Sequence, residues 1–242
     1  MEKSVAQYFK SDEIIFLSEM PELSFEERKA KVPRVTKGWH ELCQIPHNVR
    51  FELIRDYWFN SLPNVLTFRA FIDRFFSQVD HVGVIASTSG LFMTYTLKDK
   101  PECFFGCPPL VDDEIAALKK EIDFPLPEDY ALFFRVHNGF FKGGDTGLHS
   151  ADRLLKERER FKTLGKHLTL GKETASTELL LPFYRSFDLD VYQCFYKEWH
   201  PDQGMGNVLC NLKEGALSDP NTDPRAFPTF LEWLTFYMEK VL

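Results

Sequence analysis

The sequence predicts an α+β chain, and three stretches carry that prediction. The first is residues 115–139, IAALKKEIDFPLPEDYALFFRVHNG. Asp112 and Asp113 precede an apolar stripe at Ile115, Leu118 and Ile122, where the positive end of a helix dipole favours acids. Phe124-Pro125-Leu126-Pro127 then breaks the helix, because proline lacks an N–H and disfavours helical geometry in the residue before it. Pro127 suits the first position of a second helix. Tyr130, Phe133, Phe134 and His137 recur at i, i+3, i+4 and i+7, which makes one buried face. Asn138-Gly139 ends it, since both residues tolerate a left-handed cap. The second stretch is residues 81–97. Val82, Val84 and Ile85 form a β-rich run, Ser87-Thr88-Ser89-Gly90 a turn, and Leu91, Met93, Tyr95 and Leu97 the alternate positions of a returning strand. The third is residues 179–212, where strands at 179–183, 191–196 and 207–212 precede a closing helix.

Composition narrows the class of protein. The chain has 242 residues, 44% of them apolar and 24 of them Phe, enough for a large aromatic core. No run of about eighteen apolar residues occurs, so no membrane span is expected. The first residues mix charges and lack an apolar h-region, so no secretory signal is expected and the default location is the cytoplasm. The five cysteines (43, 103, 107, 194 and 210) are odd in number and scattered, which reads as free thiols rather than a disulfide framework. A net charge of −7 argues against nucleic-acid binding. Between residues 173 and 242, 11 acids face 5 bases, a net of −6, so nearly the whole surplus lies in the last third. The bland explanation is a solvated surface. The functional one is an acidic face that steers a basic protein partner.

Residues 1–109 are expected to form a helical region with a β-hairpin, and residues 110–242 a domain of their own. Near the N-terminus, Val5, Tyr8 and Phe9 point to a short helix. Ser24 and Glu27 have capping-box spacing, and Pro33 stops the helix they open. Gly38 and Pro46 mark loops. Leu53, Ile54, Tyr57 and Trp58 give one helix an apolar face, and Phe68, Phe71, Ile72, Phe75 and Phe76 give the next. Cys103 to Cys107 reads as a tight, Pro-capped loop. Leu154, Leu155, Arg158 and Phe161 form a narrow stripe under a charged helix, residues 163–177 read as loop, and Asp223-Pro224 as the start of the last helix with Phe227 on its face.

No residue set on the chain has the spacing of a catalytic or metal centre. Cys103 and Cys107 would be half a zinc site, and no second pair follows. The glycines of Phe140 to Gly147 match neither phosphate-loop pattern. A thiol hydrolase would need an activated cysteine, and Cys194 with His200 or His137 is the least poor pairing. No cofactor is expected.

The order of elements from about residue 110 to 242 resembles the SUKH superfamily, also called the Smi–Knr family. The matching residues are Ile115 and Leu118, Leu126-Pro127-Glu128-Asp129-Tyr130, Phe133 and Asn138-Gly139. Later come Leu181-Pro182-Phe183, the aromatic strand 192–196, Val208 and a closing helix around Phe230 to Trp233. The resemblance implies a curved, mostly antiparallel sheet with helices at one side. It also implies a non-enzymatic protein-binding module, of which many are immunity proteins that neutralise a toxin and others regulatory scaffolds. It carries over no catalytic residue. The expected partner is another protein, with neither nucleic acid nor membrane. The candidate contacts are Phe140, Phe141, Lys142 and Asp145 on the glycine-rich loop, and the acidic residues Asp188, Asp190 and Glu198. The alternatives are the thiol hydrolase and a purely structural role in which residues 1–109 mediate assembly.

Overall fold

The structure is a computed structural model, and it describes residues 2–9, 14–170, 173–186, 191–199, 206–214 and 226–241. The first part runs α1 (Glu2–Ala6), β1 (Ile15–Phe16), a 3-10 turn at Leu17–Glu19, α2 (Phe25–Lys31), α3 (Lys37–Gln44), α4 (His47–Ser61) and α5 (Leu66–Gln78). Ser24 opens α2 as its spacing predicts. Its hydroxyl accepts from the Glu27 amide, and the Glu27 carboxylate accepts from the Ser24 amide at 2.9 Å. Ser24→Ala is expected to lower stability by about 1 kcal/mol, read as a lower urea midpoint at unchanged m-value. The segment around Gly38, expected to be a loop, is instead helix α3. Thr36 caps it by accepting from the Trp39 amide at 3.3 Å, and the cap outweighs the helix penalty of one glycine.

The hairpin is β2 (Val79–Ser87) and β3 (Gly90–Leu97), paired from Val79↔Leu97 to Ser87↔Gly90. The expected loop at Cys103 is strand β4 (Cys103–Gly106), held between β3 and a later strand. Gly106 is needed there, because a Cβ on it would overlap the His137 ring. Next come α6 (Asp112–Glu121), α7 (Glu128–Phe133), β5 (Phe140–Lys142) and α8 (Ala151–Leu164). Pro127 caps α7 from just outside rather than sitting in its first turn, and the Asn138 side chain accepts from Ala151 N at 2.7 Å, the start of α8. The region expected to be loop at 163–177 carries β6 (His167–Leu170) and β7 (Glu173–Ser176). The chain then runs through β8 (Leu180–Arg185), β9 (Val191–Tyr196), β10 (Val208–Glu214) and β11 (Ala226–Phe227) to α9 (Phe230–Val241). Phe227 therefore belongs to a strand on β10, not to the last helix, and the Asp223-Pro224 helix start falls outside the described residues.

Among the described residues all strand pairs are antiparallel, so the fold is α+β as the sequence predicts. One ladder has the order β1-β2-β3-β4-β5 and the other β7-β6-β10-β9-β8, with β11 also on β10. Leu148 bridges to both Phe140 and Tyr184 and so joins them. The first ladder is buried on both faces. Val82, Val84, Tyr95 and Phe104 face the main core with α3, α4 and α5, whereas Ile85, Phe92 and Phe105 pack under Val5 of α1. The main core continues from Leu17 to Met238 across the expected boundary at residue 109.

Two buried arginines fix the joints. Arg50 donates to Leu42 O (2.8 Å), Ile45 O (3.0 Å) and Val82 O (3.0 Å), which locks the turn between α3 and α4 onto β2. Arg158 donates to the carbonyls of Glu178, Leu180 and Asp123, which explains a charge on the buried stripe of α8.

Asp129, inside the Leu-Pro-acidic-Tyr run, is fully buried. Its Oδ1 accepts from Gly206 N (2.8 Å) and Tyr130 N (3.0 Å), and its Oδ2 from Phe230 N (2.8 Å) and Leu231 N (3.2 Å). One carboxylate thus caps α9 from a hundred residues away and ties it to α7. Burial pushes its pKa up to about 6, against the pull of those four N–H donors.

Candidate functional site

The residues of the glycine-rich loop serve the fold. Phe140 is fully buried and stacks on Phe104 (centroids 5.6 Å, planes 8° apart) and on His137 (5.5 Å, 12°). It sits in a strand rather than in a loop, so it presents nothing to a partner. Phe141 is half-buried and stacks on Phe105 at 5.3 Å. Lys142 lies 3.7 Å from Glu102. Asp145 accepts from Tyr184 OH at 2.8 Å and Tyr237 OH at 2.6 Å, a clasp between the loop, β8 and α9. Burial, and after it the Asp145 carboxylate, push the two phenols up. Glu198 is exposed and accepts from Tyr196 OH at 2.8 Å. Asp188, Asp190 and the His200 partner of the thiol pairing lie outside the described residues.

The cysteines have the chemistry of core residues. Burial pushes the thiols of Cys43 and Cys107 up to about 11, that of Cys103 up to about 12, and that of Cys194 well above its ordinary value. A nucleophilic thiolate needs the opposite shift. Cys107 meets His137 through its carbonyl oxygen, which accepts from the ring at 3.1 Å. Among the described residues no group of three His, Cys, Asp or Glu could hold a metal ion.

Among the described residues a concave feature lies elsewhere, between α3 and α4. It is an apolar groove of about 510 Å³. Trp39, Leu42 and Leu53 form its walls, and Trp58, Met93 and His137 its floor. Two properties of α4 make it. Its inward row, Arg50, Ile54 and Trp58, is buried in the core, and Arg50 sets the spacing to α3. Its outward row, Val49, Leu53 and Tyr57, stays 46%, 51% and 44% exposed. The sequence places Leu53 and Tyr57 on one apolar face with Ile54 and Trp58, whereas the structure buries only Ile54 and Trp58. Apolar residues on both faces of one helix were the available signal that one face is left open.

A buried polar chain supports the groove floor. Trp58 Nε1–H donates to Tyr95 OH at 3.0 Å, and Tyr95 OH bonds His137 Nε2 at 2.7 Å. The Cys107 carbonyl is an acceptor only, so His137 carries its proton on Nδ1 and accepts from Tyr95 on Nε2. Burial pushes the His137 pKa down to about 4. Neutral His137 therefore contributes stability that is fully present above about pH 6.5 and is lost as pH falls toward 4, up to about 3 kcal/mol. His81 and His149, lowered to about 4 and about 3, act with the same sign, and Asp129, whose pKa is raised, with the opposite one. Comparison of wild type with His137→Gln cancels those shared contributions. The variant is expected to lose less stability between pH 7 and pH 4.5, measured as urea unfolding free energy. An identical pH slope would show that His137 is not held neutral.

No helix among the described residues is long and apolar enough to cross a membrane. No protein-family profile, curated protein or solved structure matches the chain.

Proposed function

We propose that this chain is a non-enzymatic protein-binding module of the SUKH type, acting in the cytoplasm on another protein in a toxin-neutralising or regulatory role. The observation that carries the reading is the open apolar surface beside the α3–α4 groove. Val49, Leu53 and Tyr57 expose apolar area that a covering protein would remove from water. The titratable groups point the same way. The buried thiols are pushed toward the neutral form, and His137 is engaged on both ring nitrogens. The SUKH reading rests on the motif residues: Pro127 stands at the N-cap position of α7 and Asp129 accepts from the first amides of α9, whereas Asn138 accepts from Ala151 at the start of α8 rather than ending α7, which stops at Phe133.

The acidic surplus of the last third favours a partner with a basic surface. Titration calorimetry of the intact chain with the protein it retains on an affinity column tests this. The affinity is expected to fall with rising salt, and the triple change Asp188→Asn, Asp190→Asn, Glu198→Gln is expected to weaken it. Salt-independent binding that the triple variant leaves unchanged would remove the acidic face from the reading. If the intact chain retained no protein at all, the protein-binding reading itself would fail.

A further inference from the structure

We infer that the groove between α3 and α4 is the docking site for an amphipathic helix of the partner, apolar along one face and basic along its flanks. The inference rests on the protein-binding reading and names the surface and the partner's chemistry. Val49, Leu53 and Tyr57 recur at i, i+4 and i+8, so the exposed apolar row runs about 12 Å along α4. The groove lies directly beside that row, because Leu53 and Tyr57 belong to both. A row flanking an apolar groove suits the i, i+4, i+7 anchors of a docked helix.

Charge selects the partner's flanks. Glu41 is exposed and carries the one carboxylate on the groove wall. Glu52 and Asp56 stand exposed on α4 beside the apolar row. Of the nearby bases, Arg55 already lies 3.3 Å from Asp56, Arg135, whose carbonyl accepts from Tyr57 OH, already lies 2.9 Å from Asp112, and Lys37 sits at the first turn of α3. A helix with lysines or arginines at its edges meets carboxylates there, whereas an acidic one meets repulsion.

Gly38 is the second, independent observation. It lies within α3 and lines the groove, yet a Cβ built on it meets nothing within 4 Å. Packing does not require glycine, and a helix disfavours it. The position is exposed, open space at the edge of the groove.

Gly38 also supplies the test, since a large side chain at this lining position has room at its Cβ and leaves the core undisturbed. The probe is an amidated peptide of about 18 residues, five helical turns. It carries Leu and Phe at i, i+4 and i+7 with Lys on both flanks, and it is titrated into the intact chain by fluorescence anisotropy. A control peptide carries Glu for each Lys. The Lys peptide is expected to bind, and the Glu peptide to bind at least about ten-fold more weakly. Gly38→Leu and Leu53→Asp are each expected to weaken the Lys peptide by at least about ten-fold, with Gly38→Leu melting at or above the wild-type midpoint. Equal binding of the Lys peptide to wild type and Gly38→Leu, or no binding to either, would overturn the groove. A dimer in light scattering that Leu53→Asp abolishes would assign the face to a second copy and overturn it too. If Gly38→Leu kept its natural partner at full affinity, the groove would fall and the protein-binding reading would stand. If the chain retained no protein but bound the peptide in the groove, the reverse would hold.

Discussion

Asp129→Ala is expected to lower the unfolding free energy by about 4 kcal/mol. The carboxylate is fully buried and accepts from four backbone amides: Tyr130, Gly206, Phe230 and Leu231. Alanine removes all four acceptor contacts at once and leaves the donors in a site without water access. A buried unsatisfied donor costs about 1–3 kcal/mol, and only partial relaxation of the α9 start is open to the chain. Asparagine is no rescue, because its amide nitrogen would point N–H groups at two of those N–H donors. The loss is also local in character. Amide exchange at Phe230 and Leu231 is expected to accelerate more than exchange in β2 or β3, since α9 is the element the carboxylate anchors. A change below about 1 kcal/mol would mean that the carboxylate is not the anchor.

Trp58→Ala is expected to cost about 3–5 kcal/mol. The ring is 1% exposed and stands among six rings with centroids 5.6–6.1 Å away, those of Phe75, Phe76, Tyr95, Phe133, His137 and Phe140. These rings come from α5, β3, α7, the segment that follows it, and β5, so Trp58 is the point at which the first helices meet the sheet. Alanine opens a cavity that well-packed neighbours cannot collapse into, and it removes the donor to Tyr95 OH. Trp58→Phe keeps most of the volume and is expected to cost about 1–2 kcal/mol, the share of the lost N–H and the smaller ring. Urea unfolding of both variants separates the two contributions. Equal losses for Ala and Phe would place the effect in the hydrogen bond rather than the packing.

Much of the fold could be read from residue order. The capping box at Ser24 and Glu27, the hairpin through Ser87 and Gly90, and the stripe Phe68, Phe71, Ile72, Phe75 and Phe76 all appear where spacing places them. The misreadings share one physical cause, which is that glycine and proline carry more than one meaning. Gly38 looked like a loop, but the Thr36 cap lets α3 run through it. Gly106 and the prolines after it made Cys103–Gly106 look like a turn, whereas Gly106 only makes room for His137 between paired strands.

Tertiary partners were the less legible part. Asp129 looked like a first-turn acid of α7 and is the cap of α9, a hundred residues on. Phe140 sat beside glycines, a pattern shared by recognition loops and by strand ends, and its burial depends on Phe104 and His137 across the sheet. For the α3–α4 groove, spacing signals that one apolar face of α4 stays open but not which one. Whether Leu53 and Tyr57 face the core or the solvent depends on which side of α4 receives β2.

The most direct test of a binding rather than a transforming protein is native mass spectrometry of the intact chain with the partner it retains. The expected result is a complex of fixed stoichiometry in which both masses are unchanged after prolonged incubation. A partner whose mass changes in the presence of catalytic amounts of this chain, or a mixture in which no complex forms, would contradict it.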